Sequence, residues 1–379
     1  MTKLMNFTDV NPFNNRIQKL INKSILKTVR DKDFILGKNV KNFEKKFSKL
    51  TNSKYSVGCA TGTDALLLAL KSLNLKRNHE VIIPGMSYVS TGLCASLNNN
   101  KIIFADIDDE TGLISFESIK RNLSKNTKVI IPVNLYGQKV DIKLLRKIVG
   151  KRVFIIEDSA QSHFSSICNN CNRSDHTSCF KKEKSHKYAN LSCYSFYPSK
   201  NLGAYGDSGI ITTEDTKLYN KLLALRNLGS VKKNKHQLEG LNSRLDTIQA
   251  SVLLEKLKYT PKLNNNRRKI SDYYDQELLF FEDVKLTHTD PGSSRHLYVI
   301  RVKKRDQLSK YLIKNNIPVQ FHYPYSLNKV EALRKNIKVA KLTNSEKWAK
   351  ECISLPLHPS MKLNEAKKVI SYIKKYFRY

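Results

Sequence analysis

A chain of 379 residues that is 40% hydrophobic, with 18 Tyr and 15 Phe, can fill one large core or two moderate ones, which excludes a disordered protein. No apolar run approaches the roughly 20 residues of a membrane helix, which argues against a membrane protein. The net charge of +34, from 67 basic and 33 acidic residues, is spread along the chain in short clusters with no zinc-finger, RRM or helix-turn-helix signature, so no nucleic-acid partner is expected.

From about residue 34 to 215, short apolar runs alternate with helical patterns. Strand candidates are Val81–Ile83, Lys101–Ala105, Lys128–Val133, Val153–Ile156, Cys193–Phe196 and Gly209–Thr213. Each is brief, β-branched and bounded by turn or charge signals, as in strands buried on both faces. Between them lie helical patterns such as Asp64–Lys71 and Ile142–Ile148. The alternation predicts a three-layer α/β sandwich, a mostly parallel sheet covered by helices on both faces, with ligands at the strand C-terminal ends. After Leu245 a helical pattern (Leu245, Ile248, Val252, Leu253, Leu257) runs into Pro261 and the polar stretch 264–268 and leads out of the large domain. The run Leu297–Val302, a helix near 305–314, an extended Pro318–Phe321 and a last helix near 362–377 predict a smaller α+β domain. The expected division is 1–245 and 246–379. The start of the chain lacks the apolar core and cleavage site of a signal peptide, so the cytoplasm is the expected compartment.

Four segments carry candidate chemistry. The run Gly58 to Asp64 precedes the Ala65–Leu70 helical pattern. A helix start with Thr61, Gly62 and Thr63 offers unpaired N–H groups, hydroxyls and close backbone approach to a phosphate, or serves as an ordinary N-cap. Tyr88, after the Val81–Ile83 run, offers a ring for stacking or a half-buried core tyrosine. Asp158 ends a buried strand, where a carboxylate requires a donor or a cation, unless it caps the next turn. Lys200 stands in the turn of the Ser195–Asp207 segment, where a desolvated amine loses its proton and attacks a carbonyl. Together they describe a pocket for pyridoxal 5'-phosphate.

The same residues resemble the DegT/DnrJ/StrS-type nucleotide-sugar aminotransferases, pyridoxal phosphate enzymes of the aspartate-aminotransferase fold. The resemblance runs from Phe34–Gly37 to Leu355–Pro359 and is closest at Thr61–Ala65, Asn134–Gln138, Glu157–His163, Ser195–Asp207 and Asn242–Asp246. It implies that Lys200 forms the Schiff base with the cofactor and carries the proton, and that Asp158 holds the pyridine nitrogen. Gln161 would bond the ring hydroxyl region, Tyr88 stack on the ring, and Gly62, Thr63 and Ser195 bind the phosphate. Asn242 would reach the phosphate of a neighbouring subunit, which implies a homodimer with shared active sites. His322 and Tyr323 would lie near the substrate mouth. The implied reaction moves an amino group from an amino acid, glutamate by resemblance, to a nucleotide-linked keto-sugar for polysaccharide or glycoconjugate synthesis. The alternatives are a keto-cyclitol substrate, sugar dehydration, and a non-catalytic regulatory or binding homologue. Dehydratase relatives carry histidine at the lysine position, so Lys200 favours transamination.

The chain departs from the family between His163 and Tyr194 by an insertion containing Cys168, Cys171, His176 and Cys179, with His186 nearby. A zinc-stapled loop and a solvated loop with reduced cysteines both fit it. The cysteine spacing differs from the usual two-pair pattern, so no metal is assigned.

Overall fold

Runs of consecutive enclosed residues form strands only where helices cover both faces, and six of the first seven strands here have four or five buried residues in a row. The computed structural model describes residues 5–167, 185–232, 234–334, 337–338 and 341–378. Its main sheet contains β1 (Tyr55–Cys59), β2 (Glu80–Pro84), β3 (Lys101–Ala105), β4 (Thr127–Ile130), β5 (Phe154–Asp158), β6 (Leu191–Ser195) and β7 (Gly209–Thr213) in the order β1-β7-β6-β5-β4-β2-β3. β7 runs against both its neighbours, while β6, β5, β4, β2 and β3 pair in parallel. The parallel sheet expected from the alternation is therefore present. β1 falls outside the sequence-based set because Ser56 and Gly58 interrupt its apolar pattern. Pairing from Tyr55 with Thr213 to Cys59 with Gly209 fixes it as a strand.

The pleat sorts alternate residues into two layers. Val81, Ile83, Phe104 and Val129 pack in one cluster with α3 (Gly62–Ser72), α4 (Ser90–Leu97) and Leu222 and Leu225 at the end of a later helix. Ile82, Ile103, Ile130 and Ile155 pack on the opposite side with Ile119 of α5 (Phe116–Asn122) and Leu145 of α6 (Ile142–Val149). Two earlier helices, α1 (Asn15–Arg30) and α2 (Lys38–Leu50), were not singled out from sequence. Phe43 and Phe47 of α2 close a further cluster over Tyr194, Phe196 and Ile210.

Beyond α7 (Thr216–Leu225) and a small hairpin of β8 (Ser230–Lys232) and β9 (Lys235–His236), the chain enters α8 (Thr247–Lys256). Ala250 and Leu253 of α8 join the Phe43 cluster. The polar stretch around 264–268 is not the end of helical structure but part of α9 (Thr260–Leu278), which starts with Pro261 in its first turn, where no N–H partner is lost. Its polar residues are used: Arg267 donates to the carbonyls of His296 and Leu357 at 3.1 and 2.9 Å. A second, antiparallel sheet of β10 (Lys285–Leu286), β11 (Tyr298–Arg301) and β13 (Cys352–Leu355) packs with α9, α10 (Arg305–Lys314) and α12 (Leu363–Phe377) around Tyr274, Ile300, Leu308, Ile353 and Ile370. Between α10 and α11 (Thr343–Glu351), β12 (Ile337–Lys338) adds in parallel to β3. Pro318–Phe321 contributes one bridge, Gln320 to Ser354, rather than a strand. Among the described residues no helix is long and apolar enough to cross a membrane.

Candidate functional site

A cavity of about 470 Å³ opens at the C-terminal ends of β1, β2, β5 and β6, where open α/β sheets bind ligands. Ten of the residues singled out from sequence line it: Thr61, Gly62, Thr63, Tyr88, Asp158, Gln161, Ser195, Lys200, His322 and Tyr323. Asn242 does not. It is exposed and bridges through its backbone to Asn227. The cysteines and His176 of the insertion lie outside the described residues.

One end of the cavity is the start of α3. Thr61 is its N-cap, accepting the Asp64 N–H at 2.9 Å through its hydroxyl. Thr63 shares a 2.8 Å hydrogen bond with Ser90, and the Ser243 hydroxyl donates to Asp64 at 2.7 Å. A Cβ on Gly62 would stand 2.5 Å from the Ser195 Cβ, so only glycine lets the β6 end and the α3 start approach this closely. Unpaired N–H groups, a positive helix end and three hydroxyls converge there, the donor set an anionic phosphate requires.

Across the cavity floor Asp158 and Lys200 face each other. Asp158 is buried; it accepts from the Thr91 hydroxyl at 3.0 Å and from the Ala160 N–H at 3.2 Å. Burial outweighs these bonds and raises its pKa above the usual carboxylate range. A buried carboxylate in that condition is completed by a cation, as a protonated pyridine nitrogen provides. Lys200 sits in a turn closed by its own N–H on the Tyr197 carbonyl at 2.8 Å. Burial lowers its pKa to about 8, with Asp158 pulling weakly the other way, and it makes no salt bridge among the described residues. Its amine is thus far more available as a nucleophile than a solvated lysine's. The observed set of cradle, buried carboxylate and desolvated amine fits pyridoxal phosphate.

The opposite wall belongs to residues far along the chain. Gln161 accepts the Tyr136 N–H at 2.7 Å and donates to the Tyr323 hydroxyl at 2.9 Å. Tyr88, 57% exposed, lines the cavity and tilts against Tyr323 with ring centres 5.9 Å apart. His322 bonds Ser354 at 2.8 Å and stacks on Phe7; burial, then the Lys200 charge, lower its pKa to about 4 and keep it neutral. His296 bonds Asn201 at 2.9 Å and is likewise held neutral by burial.

Sequence reasoning missed several lining residues: Ser87, Ser90, Phe7, Thr8, His296 and Gln320. It also missed Thr91 behind Asp158. Thr91 sits inside a helix with no signal beyond its position after Tyr88. Phe7 and His296 reach the cavity only through tertiary folding.

The sequence profile described as the DegT/DnrJ/EryC1/StrS aminotransferase family matches residues 15–374. The chain is 33% identical over 358 residues to the UDP-2-acetamido-2-deoxy-3-oxo-D-glucuronate aminotransferase of Pseudomonas aeruginosa, covering 94% of this chain and 96% of that one. It is also 33% identical to the dTDP-3-amino-3,6-dideoxy-alpha-D-galactopyranose transaminase of Aneurinibacillus thermoaerophilus, covering 98% and 99%. Its fold superposes on the crystal structure of S. venezuelae DesV in complex with a ketimine intermediate, with a TM-score of 0.91, 27% identity and full coverage of both chains.

Proposed function

The chain belongs to the DegT/DnrJ/EryC1/StrS aminotransferase family, and from that premise we propose that it transfers the amino group of glutamate to a nucleotide-linked keto-sugar. It is an aminotransferase with pyridoxal 5'-phosphate as cofactor. The observation that carries the assignment is Lys200, a desolvated amine facing a buried Asp158 beside an α3 start shaped for a phosphate.

The bound cofactor supplies an electron sink that loosens the bonds at the donor's α-carbon. Lys200 would hold it and carry the proton, a role suited to an amine whose pKa burial lowers to about 8. Asp158, backed by Thr91, holds the ring nitrogen, and Gln161 faces the ring hydroxyl region. Thr61, Gly62, Thr63 and Ser195 take the phosphate, and Tyr88 covers the ring face. His322 and Tyr323 face the sugar. Asn242, exposed and outside the cavity, reaches the phosphate of a second copy in a homodimer. The large cofactor-binding unit is 1–245 and the small one 246–379. The product feeds a surface polysaccharide or related glycoconjugate in the cytoplasm, and the high positive charge gathers the anionic nucleotide sugar.

The test is direct. Purified protein loaded with cofactor is yellow, glutamate bleaches it, and a panel of UDP- and dTDP-linked keto-sugars restores the colour with the mass change of amination. Colour that glutamate leaves untouched refutes the aminotransferase reading; bleaching without amination of any sugar on the panel refutes the substrate class.

A further inference from the structure

The segment Asn134–Gln138 has no part in the cavity lining, yet it ties together the elements that form the cavity. Asn134 donates to Glu157 at 2.8 Å and to Ser159 at 3.0 Å, on either side of Asp158. Its own N–H bonds the Asp158 carbonyl at 2.9 Å. The Gly137 carbonyl accepts from Ser165, Ser293 and the Ser294 N–H. Between them Tyr136 adopts a left-handed backbone, φ 60°, which a bulky residue holds only when its surroundings require it. Its ring is 3% exposed and stacks against Trp348.

That backbone turn aims the Tyr136 N–H at the oxygen of the Gln161 amide. With the oxygen engaged, the amide nitrogen must face Tyr323, where it donates to the hydroxyl. A phenol oxygen that accepts from an amide has its own O–H free to donate elsewhere, and Tyr323 lines the cavity. The Tyr136 hydroxyl meanwhile donates to the His322 carbonyl, holding the backbone that carries Tyr323. One residue thus sets both, the direction of the Gln161 amide through its backbone N–H and the place of the 322–323 segment through its hydroxyl.

We propose that Tyr136 is a positioning residue that turns the Tyr323 hydroxyl into the cavity as a hydrogen-bond donor to an oxygen of the sugar. This rests on the nucleotide-sugar reading. Tyr136 does not line the cavity; its N–H acts through Gln161 and its hydroxyl through the His322 carbonyl, both on Tyr323.

The probes are UDP- and dTDP-linked 3-amino sugars, titrated into cofactor-loaded enzyme. Tyr136→Phe keeps the ring against Trp348 and removes only the bond to the His322 carbonyl; it should weaken probe binding about tenfold, the scale of one lost buried hydrogen bond. Tyr323→Phe should weaken it by a similar factor, and the double variant no further, because both act on one contact. Unchanged binding in Tyr136→Phe, or losses that multiply in the double variant, would overturn the proposal. Should Tyr136→Phe not fold, hydrogen exchange on the native enzyme decides: probe binding should slow exchange of the Tyr136 amide, and equal exchange with and without probe contradicts the relay. If wild-type enzyme is bleached by glutamate and binds a probe while these readouts fail, only the relay falls. If wild type neither bleaches nor binds, the functional reading itself falls.

Discussion

The two ends of the cavity are built differently. At the end proposed for the phosphate, most groups come from the end of a main-sheet strand or the segment just after it: Thr61 and Gly62 after β1, Asp158 on β5, Ser195 and Lys200 at and after β6. At the mouth, Phe7 from the start of the chain meets His296, Gln320, His322 and Leu357 from separate segments near its end, only because α9 and the small sheet fold back on the main one. The difference teaches where tolerance to change lies. The phosphate end is fixed by local backbone geometry and by burial of charge, so single atoms matter there. The mouth is an assembly of side chains on separate supports, free to vary with the substrate.

Substitutions at the two ends should therefore differ in size and in kind. Lys200→Ala removes the amine facing Asp158 and should lower transamination by about 10⁴-fold or more, measured as single-turnover rates with glutamate. Asp158→Ala leaves a ring nitrogen without its counter-charge and should cost about 10²-fold in the same assay, together with weaker cofactor binding. The Lys200 amine itself can be titrated in cofactor-free enzyme through its pH-dependent labelling by an amine reagent. Labelling should reach half of its plateau near pH 8, instead of near the 10.5 of an ordinary lysine, because burial favours the neutral form. Between those pH values the unfolded chain holds the proton that folded Lys200 has released, so this residue's contribution makes the cofactor-free protein more stable as pH rises.

Gly62→Ala sharpens the contrast. Its methyl group meets the Ser195 side chain, and a clash of about 1–3 kcal/mol should appear as a roughly 10- to 100-fold loss of cofactor affinity by equilibrium titration. At the mouth, Gln320→Ala should raise KM for the sugar only several-fold and leave cofactor affinity alone, as expected for one exposed polar contact. A Gln320 effect as large as that of Gly62, or one on cofactor binding, would erase the distinction between the two ends.

The same contrast explains what could be read in the sequence. Buried strands announce themselves as β-branched runs, and their C-terminal ends are where α/β sites form, so Asp158 and Lys200 could be placed from local pattern, while Thr61 was placed from the start of the apolar helix that follows it. β1 could not, since Gly58 and Ser56 are apt for a strand only once β7 pairs with it. The helix α9 was hidden by its polar run, whose buried Arg267 is satisfied by carbonyls 29 and 90 residues away, a partnership no local pattern encodes. Thr91 escaped for a related reason: a threonine inside a helix carries no mark of the carboxylate it supports. His322 and Tyr323 were reached only through family resemblance, and the way Gln161 and Tyr136 orient Tyr323 is visible only in three dimensions.

The most direct test of Lys200 is chemical trapping. Borohydride reduction of the yellow, cofactor-loaded protein, followed by proteolysis and mass spectrometry, should place the reduced cofactor on the peptide containing Lys200 and on no other lysine of the 67 basic residues. Cofactor fixed to a different lysine, or to none, would contradict the site built here around Lys200 and Asp158.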